Sequence, residues 1–226
     1  MKYAFIALIG LIIGAAGGGA VIYFNPLTNT SAPDPESSDR TLHYDLPGEV
    51  LGFTLGEHAL PPGAAHADDG FWEETIDRTA LLGLVLDDAD DKPVAVASRL
   101  LAGSADTDFL LNGVLVSDYW LLTIPSEGTL FLRANSNVWP FLRETLLPVW
   151  YFGRPWGGPA NYRPTAGPGD GGAAVVVGAT GRFAGLEGTA IEQYRLTDLD
   201  PASRSVAAVG ELHLRMGEPQ IAAGGE

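Results

Sequence analysis

The sequence predicts an all-β, antiparallel domain, and three observations support this. From residue 79 onward, short apolar stretches alternate with turn residues, at 79–86, 94–101, 119–124 and 129–134. The one helical candidate, residues 138–147, is confined by Pro140 and Pro148. The last apolar stretch, residues 206–216, alternates between two faces, as a strand with one buried face does. This pattern is typical of a sandwich or a barrel.

The N-terminus predicts a membrane anchor. Residues 3–24 carry no charge, and roughly 20 apolar residues suffice to cross a bilayer as a helix. We therefore expect residues 1–24 to form one N-terminal transmembrane helix, with a cleaved signal peptide as the alternative. Lys2 precedes the apolar run, so the positive-inside rule places the rest of the chain outside the cytoplasm, in the periplasm, or secreted after cleavage.

The remaining boundaries follow from composition. Residues 25–42 are rich in proline and serine and predict a linker. Residues 43–70 contain frequent turn residues and predict an irregular lead-in, and 71–216 carry the strand pattern of the β domain. We expect the tail, residues 217–226, to be disordered.

Charge and composition argue against several classes of function. The chain has 28 acidic and 13 basic residues, a net charge of −15, which argues against nucleic acid as a partner. Without cysteine there is no thiolate nucleophile and no zinc–thiolate site. His58 and His66 match no zinc spacing, and the aspartate-rich turn at 87–91 lacks the glycine and glutamate of a calcium loop. We expect neither a metal nor a cofactor.

The most informative motif lies between two predicted strands. A valine-rich strand at 175–177 leads into a corner in which glycines twice bracket a pair of residues, at 178–181 and 185–188, and a second strand begins near Thr189. Positive φ or close backbone approach is expected at the glycines, with Phe183 as a plug between two turns. The motif residues are Gly178, Thr180, Gly181, Phe183, Gly185 and Gly188.

This arrangement resembles the allene oxide cyclase and dirigent barrel superfamily, in which Gly-Gly-Thr-Gly-x-Phe precedes a small residue, a glycine and a long strand. Ala179 replaces the second glycine here. The resemblance implies an antiparallel eight-stranded β-barrel, often trimeric, that works without a cofactor. Its cyclases rearrange an unsaturated fatty-acid epoxide, and its dirigent proteins steer the coupling of phenoxy radicals. Their catalytic residues lie outside the motif, so the resemblance assigns no catalytic residue to this chain.

Candidate ligand-binding residues come from two regions. Aromatic residues crowd positions 139–162, where they predict either an aromatic lip over a ligand pocket or a plug or subunit contact at one end of the barrel. The ionisable residues of the last two strands are the first candidates for acid–base work, although those of the last strand fit a solvated sheet surface equally well. The candidates are Trp139, Trp150, Trp156, Glu192, Tyr194, Glu211 and His213.

Two classes of function fit these observations. The first is a membrane-anchored, non-catalytic barrel that binds a small apolar or phenolic ligand or a protein partner, such as another copy of itself. The second is a cofactor-free isomerase, cyclase or dirigent-like enzyme that uses the same cavity. The sequence contains no Gly-x-Ser-x-Gly elbow, His-Glu-x-x-His motif or phosphate loop that would assign a reaction.

Overall fold

The computed structural model describes residues 2–29, 31–32, 39–46, 79–200 and 205–217. It contains helices α1 (Lys2–Phe24) and α2 (Trp139–Phe141), the latter continued by a π-helix (Leu142–Tyr151). The strands are β1 (Arg40–Leu46), β2 (Thr79–Asp87), β3 (Pro93–Gly103), β4 (Leu115–Ile124), β5 (Gly128–Asn137), β6 (Ala160–Tyr162), β7 (Ala174–Ala179), β8 (Glu187–Asp200) and β9 (Ser205–Gly217).

Eight strands close into an antiparallel barrel. Their order is β1-β2-β3-β4-β5-β7-β8-β9, and β9 pairs again with β1 over residues 40–46 to close the wall. Strand β6 pairs with β8 at 194–196, and β7 pairs with β8 at 189–190. Because β9 pairs with the other edge of β8, β6 and β7 must both pair with the same edge of β8, one beyond the other along its length. The predicted antiparallel eight-stranded barrel is confirmed.

The barrel extends N-terminal of the boundary predicted at residue 71. Strand β1 comes from the predicted linker and lead-in, and it pairs with β9 because Leu42, Tyr44 and Leu46 alternate into the core. The predicted linker also includes residues that contact the barrel directly: the carbonyl oxygen of Thr28 accepts a hydrogen bond from Asn137, and Ala32 donates to Thr165. The rest of the lead-in, residues 47–70, and the tail beyond Gly217 lie outside the described residues.

The two ends of the barrel differ. At one, which we call the turn end, the chain makes short connections over residues 88–92, 125–127 and 180–186. At the other, the capped end, the long connection from β5 to β7 carries α2, the π-helix and β6. The predicted helix at 138–147 is thus present, and it continues past Pro148 to Tyr151. Phe141, Leu146 and Val149 of this connection are buried in the core of the barrel.

Within the part of the chain that the structure describes, no helix is both long and apolar enough to cross a membrane. The transmembrane helix predicted over residues 1–24 is therefore not supported.

The glycine corner connects β7 to β8 at the turn end, as predicted. Gly181 has a φ of +63°, and a Cβ there would lie 2.2 Å from the carbonyl oxygen of Glu127. This close approach lets Arg182 donate to Glu127 and Thr180 donate to Thr129, which ties the corner to the β4–β5 turn. Phe183 packs against the core but is only half-buried, so its ring is less enclosed than a buried plug would be. The rest of its surface remains exposed to solvent.

Candidate functional site

Four polar side chains meet inside the barrel. Tyr44 of β1, Arg99 of β3, Asp118 of β4 and Glu192 of β8 each occupy an inward-facing position of their strand, and each is at least 94% buried. We call this set the interior cluster. Because strands far apart in the sequence become neighbours across the barrel, residues separated by up to 148 positions are in contact.

Arg99 lies at the centre of the cluster. Its Nε and Nη2 donate to the two carboxylate oxygens of Asp118, at 3.0 and 2.6 Å, and its Nη1 and Nη2 each donate to Glu192 at 2.7 Å. The guanidinium also lies 4.5 Å from the ring centroid of Trp120, within cation–π range. One cation is thus shared between two buried carboxyl groups.

Tyr44 is the second hydrogen-bond partner of Glu192, because its hydroxyl donates to Glu192 Oε1. The Tyr44 ring lies over Gly210 of β9, where a Cβ would come within 2.1 Å of the ring. Glycine at 210 therefore provides the room that Tyr44 needs. Ser136 donates to Asp118, and Thr165 accepts from the Glu192 backbone N–H, so the cluster is also held from β5 and from the connection after β6.

Burial changes the protonation of the cluster. Burial raises the pKa of Glu192 above its ordinary value, although the neighbouring charge of Arg99 acts in the opposite direction. Burial and the nearby Glu192 charge raise the pKa of Tyr44 well above its usual range. Burial lowers the pKa of Arg99, but the charges of Asp118 and Glu192 outweigh this effect, and the net pKa is well above the usual range. At neutral pH Arg99 is therefore cationic, Tyr44 keeps its proton, and burial makes Glu192 easier to protonate than an exposed glutamate.

The space beside the cluster is small. A cavity of about 10 Å³ lies against Asp118, Trp120, Thr165 and Glu192, which is room for about one water molecule. A larger groove of about 510 Å³ opens on the surface of the capped end, and its lining is polar, including Asp106, Asp108, Asn112 and Asn135. Neither space is the apolar pocket that the sequence suggested.

The aromatic candidates belong to the cap. Trp139 is buried, and Trp150 and Trp156 are half-buried and pack against the core. Phe141 contacts the rings of Tyr162 and Tyr194, with centroids 5.6 and 6.4 Å apart. This arrangement corresponds to the plug alternative of the sequence analysis, since the connection from β5 to β7 fills the barrel end with its rings.

The ionisable candidates are divided between two sides of the wall. Glu192 is in the interior cluster, and Tyr194 follows it on the same side of β8, under the cap. Glu211 and His213 face outward on β9, where they lie 3.2 Å apart and contact His43 and Thr41 of β1. The structure therefore does not bring the seven candidate residues into one site.

The sequence analysis missed Tyr44, Arg99 and Asp118. The signal that could have identified Arg99 and Asp118 was a charged residue on the inward face of an otherwise apolar strand. In β4, however, both faces are rich in apolar side chains, because Trp120, Leu122 and Ile124 face inward while Tyr119 and Leu121 face outward. The alternation of side chains therefore could not show whether the face that carries Asp118 or Arg99 points into the barrel or to the outside.

Comparisons with known proteins find similarity only among solved structures. No family model matches the chain, and no curated protein matches it. Among solved structures, the chain is similar to the pterocarpan synthase dirigent protein PsPTS1, with 12% identity and a TM-score of 0.38 over 81% of this chain and 99% of that one. It is similar also to the pterocarpan synthase dirigent protein GePTS1, with 12% identity and a TM-score of 0.39 over 79% and 88% of the two chains. Similarity at this level does not carry a function.

Proposed function

We propose that the barrel interior binds a small apolar or phenolic ligand and, without a cofactor, promotes its reaction, as an isomerase, cyclase or dirigent-like protein does. The observation that carries the proposal is the interior cluster, in which Glu192 is buried beside Arg99. Burying ionisable groups is unfavourable unless they are paired, and groups with perturbed pKa values concentrate at functional sites.

The roles follow from the protonation of the cluster. Glu192, whose pKa is raised by burial, would exchange a proton with the ligand. Arg99 would oppose negative charge that develops on the ligand, and its bonds to both oxygens of Asp118 hold it in place. Tyr44, with its raised pKa, would act as a neutral hydrogen-bond donor.

Access to the cluster requires a change at the capped end. The cavity beside Glu192 has room for about one water molecule, so a ligand must displace part of the aromatic cap. Phe141 and Tyr194 lie between the cap and the interior, and the half-buried Trp150 and Trp156 would change environment as the cap moves. Tryptophan fluorescence would therefore report binding.

A second candidate is a non-catalytic barrel that binds a partner and not a small molecule. The filled interior favours it, since Arg99, Asp118 and Glu192 satisfy one another. In that case, the cluster would serve to specify the pairing of the strands.

The test is a titration of the protein with fatty-acid and phenolic probes, followed by tryptophan fluorescence. We expect saturable binding by the wild type, weaker binding by Glu192→Gln, and unchanged binding by the control Glu211→Gln on the outside of β9. Circular dichroism would verify that each variant is folded. If no probe binds saturably, or if Glu192→Gln binds as the wild type does, the interior is not a ligand site and the second candidate is favoured.

A further inference from the structure

The outer wall of the barrel has an apolar side. On strands β2 to β5 and β7, large apolar side chains point away from the interior and are 40–68% exposed. We call this surface the apolar outer face. Its central residues are Leu81, Leu100, Tyr119, Leu121, Phe131 and Val177, which line a depression of about 240 Å³. Val85 and Val96 extend it on β2 and β3.

The face is nearly free of charge in a strongly acidic protein. Among the described outward positions in 81–85, 96–102, 117–123 and 129–135, Arg133 is the only charged side chain. The outer wall on the other side of the barrel is different: β1, β8 and β9 present Asp45, Arg195, Glu211 and His213. The apolar outer face is thus a distinct surface and not an average sample of the exterior.

Its area matches that of a stable interface. Together these eight residues expose roughly 700 Å², close to the roughly 800 Å² that each partner buries in a protein complex of standard size. The largest apolar patch on a typical monomer covers only roughly 300–600 Å². A sheet with an apolar outer side buries it most simply against a second sheet, about 10 Å away.

We infer that the apolar outer face binds a second copy of this chain. Two copies that each carry a charge of −15 repel one another, and they can approach most easily through a surface that lacks acidic residues. Identical faces related by a two-fold axis would each supply the same protruding side chains and the same depression. The inference concerns the outside of the wall and does not rest on the function proposed for the interior.

The test is the oligomeric state of the full chain, measured by sedimentation velocity over a range of concentrations. We expect the wild type to associate reversibly and Leu121→Lys to associate at least roughly tenfold more weakly, because a buried ammonium group would lack a partner at the interface. The matched control is Val209→Lys on β9, since Val209 and Leu121 are 41% and 40% exposed on opposite sides of the barrel. We expect this control to associate as the wild type does.

Val177→Lys provides a second variant of the face, and circular dichroism with thermal melting checks that both variants fold. A wild type that stays monomeric at all concentrations would overturn the inference. So would association that persists in both folded face variants. If association is instead lost in Ile12→Asn, a change in the exposed part of α1, then the helix and not the apolar outer face joins the copies.

Discussion

Replacing Arg99 with methionine is the most direct test of the interior cluster. Methionine keeps an unbranched side chain of similar length but removes the charge and all the donors of the guanidinium. Asp118 and Glu192, which are fully and 97% buried, would then lose the cation between them. Trp120 would also lose its cation–π contact with Arg99.

The expected loss in the free energy of unfolding is about 3–5 kcal/mol at pH 7, the range for removing one partner from a buried ion pair. The loss should depend on pH, because the pKa of Glu192 is raised by burial. A carboxyl group with a raised pKa stabilises the folded state fully below the pKa of the unfolded chain, about 4.3. This contribution is lost as the pH rises through the folded pKa. We therefore expect a smaller deficit at pH 4.5 than at pH 7, since protonated Glu192 no longer needs Arg99.

Urea unfolding followed by tryptophan fluorescence measures this loss at both pH values. The matched control is Arg195→Met, on the exposed outer side of β8, which should change the free energy of unfolding by less than about 0.5 kcal/mol. A loss below about 1 kcal/mol for Arg99→Met would refute the reasoning. An equal loss at pH 4.5 and pH 7 would refute the part assigned to Glu192.

Three further predictions concern the corner and the location. Gly181→Val should lower the free energy of unfolding by about 1–3 kcal/mol, because its φ is +63° and the side chain would meet Glu127; urea unfolding at wild-type stability would contradict this. Phe183→Ala should cost about 1–2 kcal/mol in the same assay, below the roughly 3–5 kcal/mol of a fully buried ring, since Phe183 is half-buried. The extracytoplasmic location stays a prediction from the sequence. Fractionation with protease treatment of spheroplasts tests it, and a protected cytoplasmic protein would exclude it.

Much of the fold follows from local sequence. The β2–β3 hairpin was predictable because apolar stretches flank an aspartate-rich turn, and the β7–β8 corner because glycines allow the positive φ that Gly181 adopts. Strand β1 was not predicted, since its partner β9 lies at the other end of the chain. The sequence of a strand of only seven residues does not identify it as a strand until its partner is known.

The candidate site was predicted less completely. Glu192 and Tyr194 were chosen as ionisable residues of β8, and both lie on the inner side of the wall. Glu211 and His213 were chosen for the same reason on β9, but their side chains face outward. The alternation of residues along a strand separates its two faces, but the residue types alone do not show which face lies inside the barrel.

The sequence by itself determined the β class, the turns and the glycine corner, because each depends on residues close together in the chain. Only the tertiary structure decided that Tyr44, Arg99, Asp118 and Glu192 meet inside the barrel. Closure of the wall brings four separate strands to face one another, and the free energy of a buried charge depends on those distant partners. The same closure decided which apolar side chains fill the interior and which, such as Leu121 and Phe131, remain on the outside.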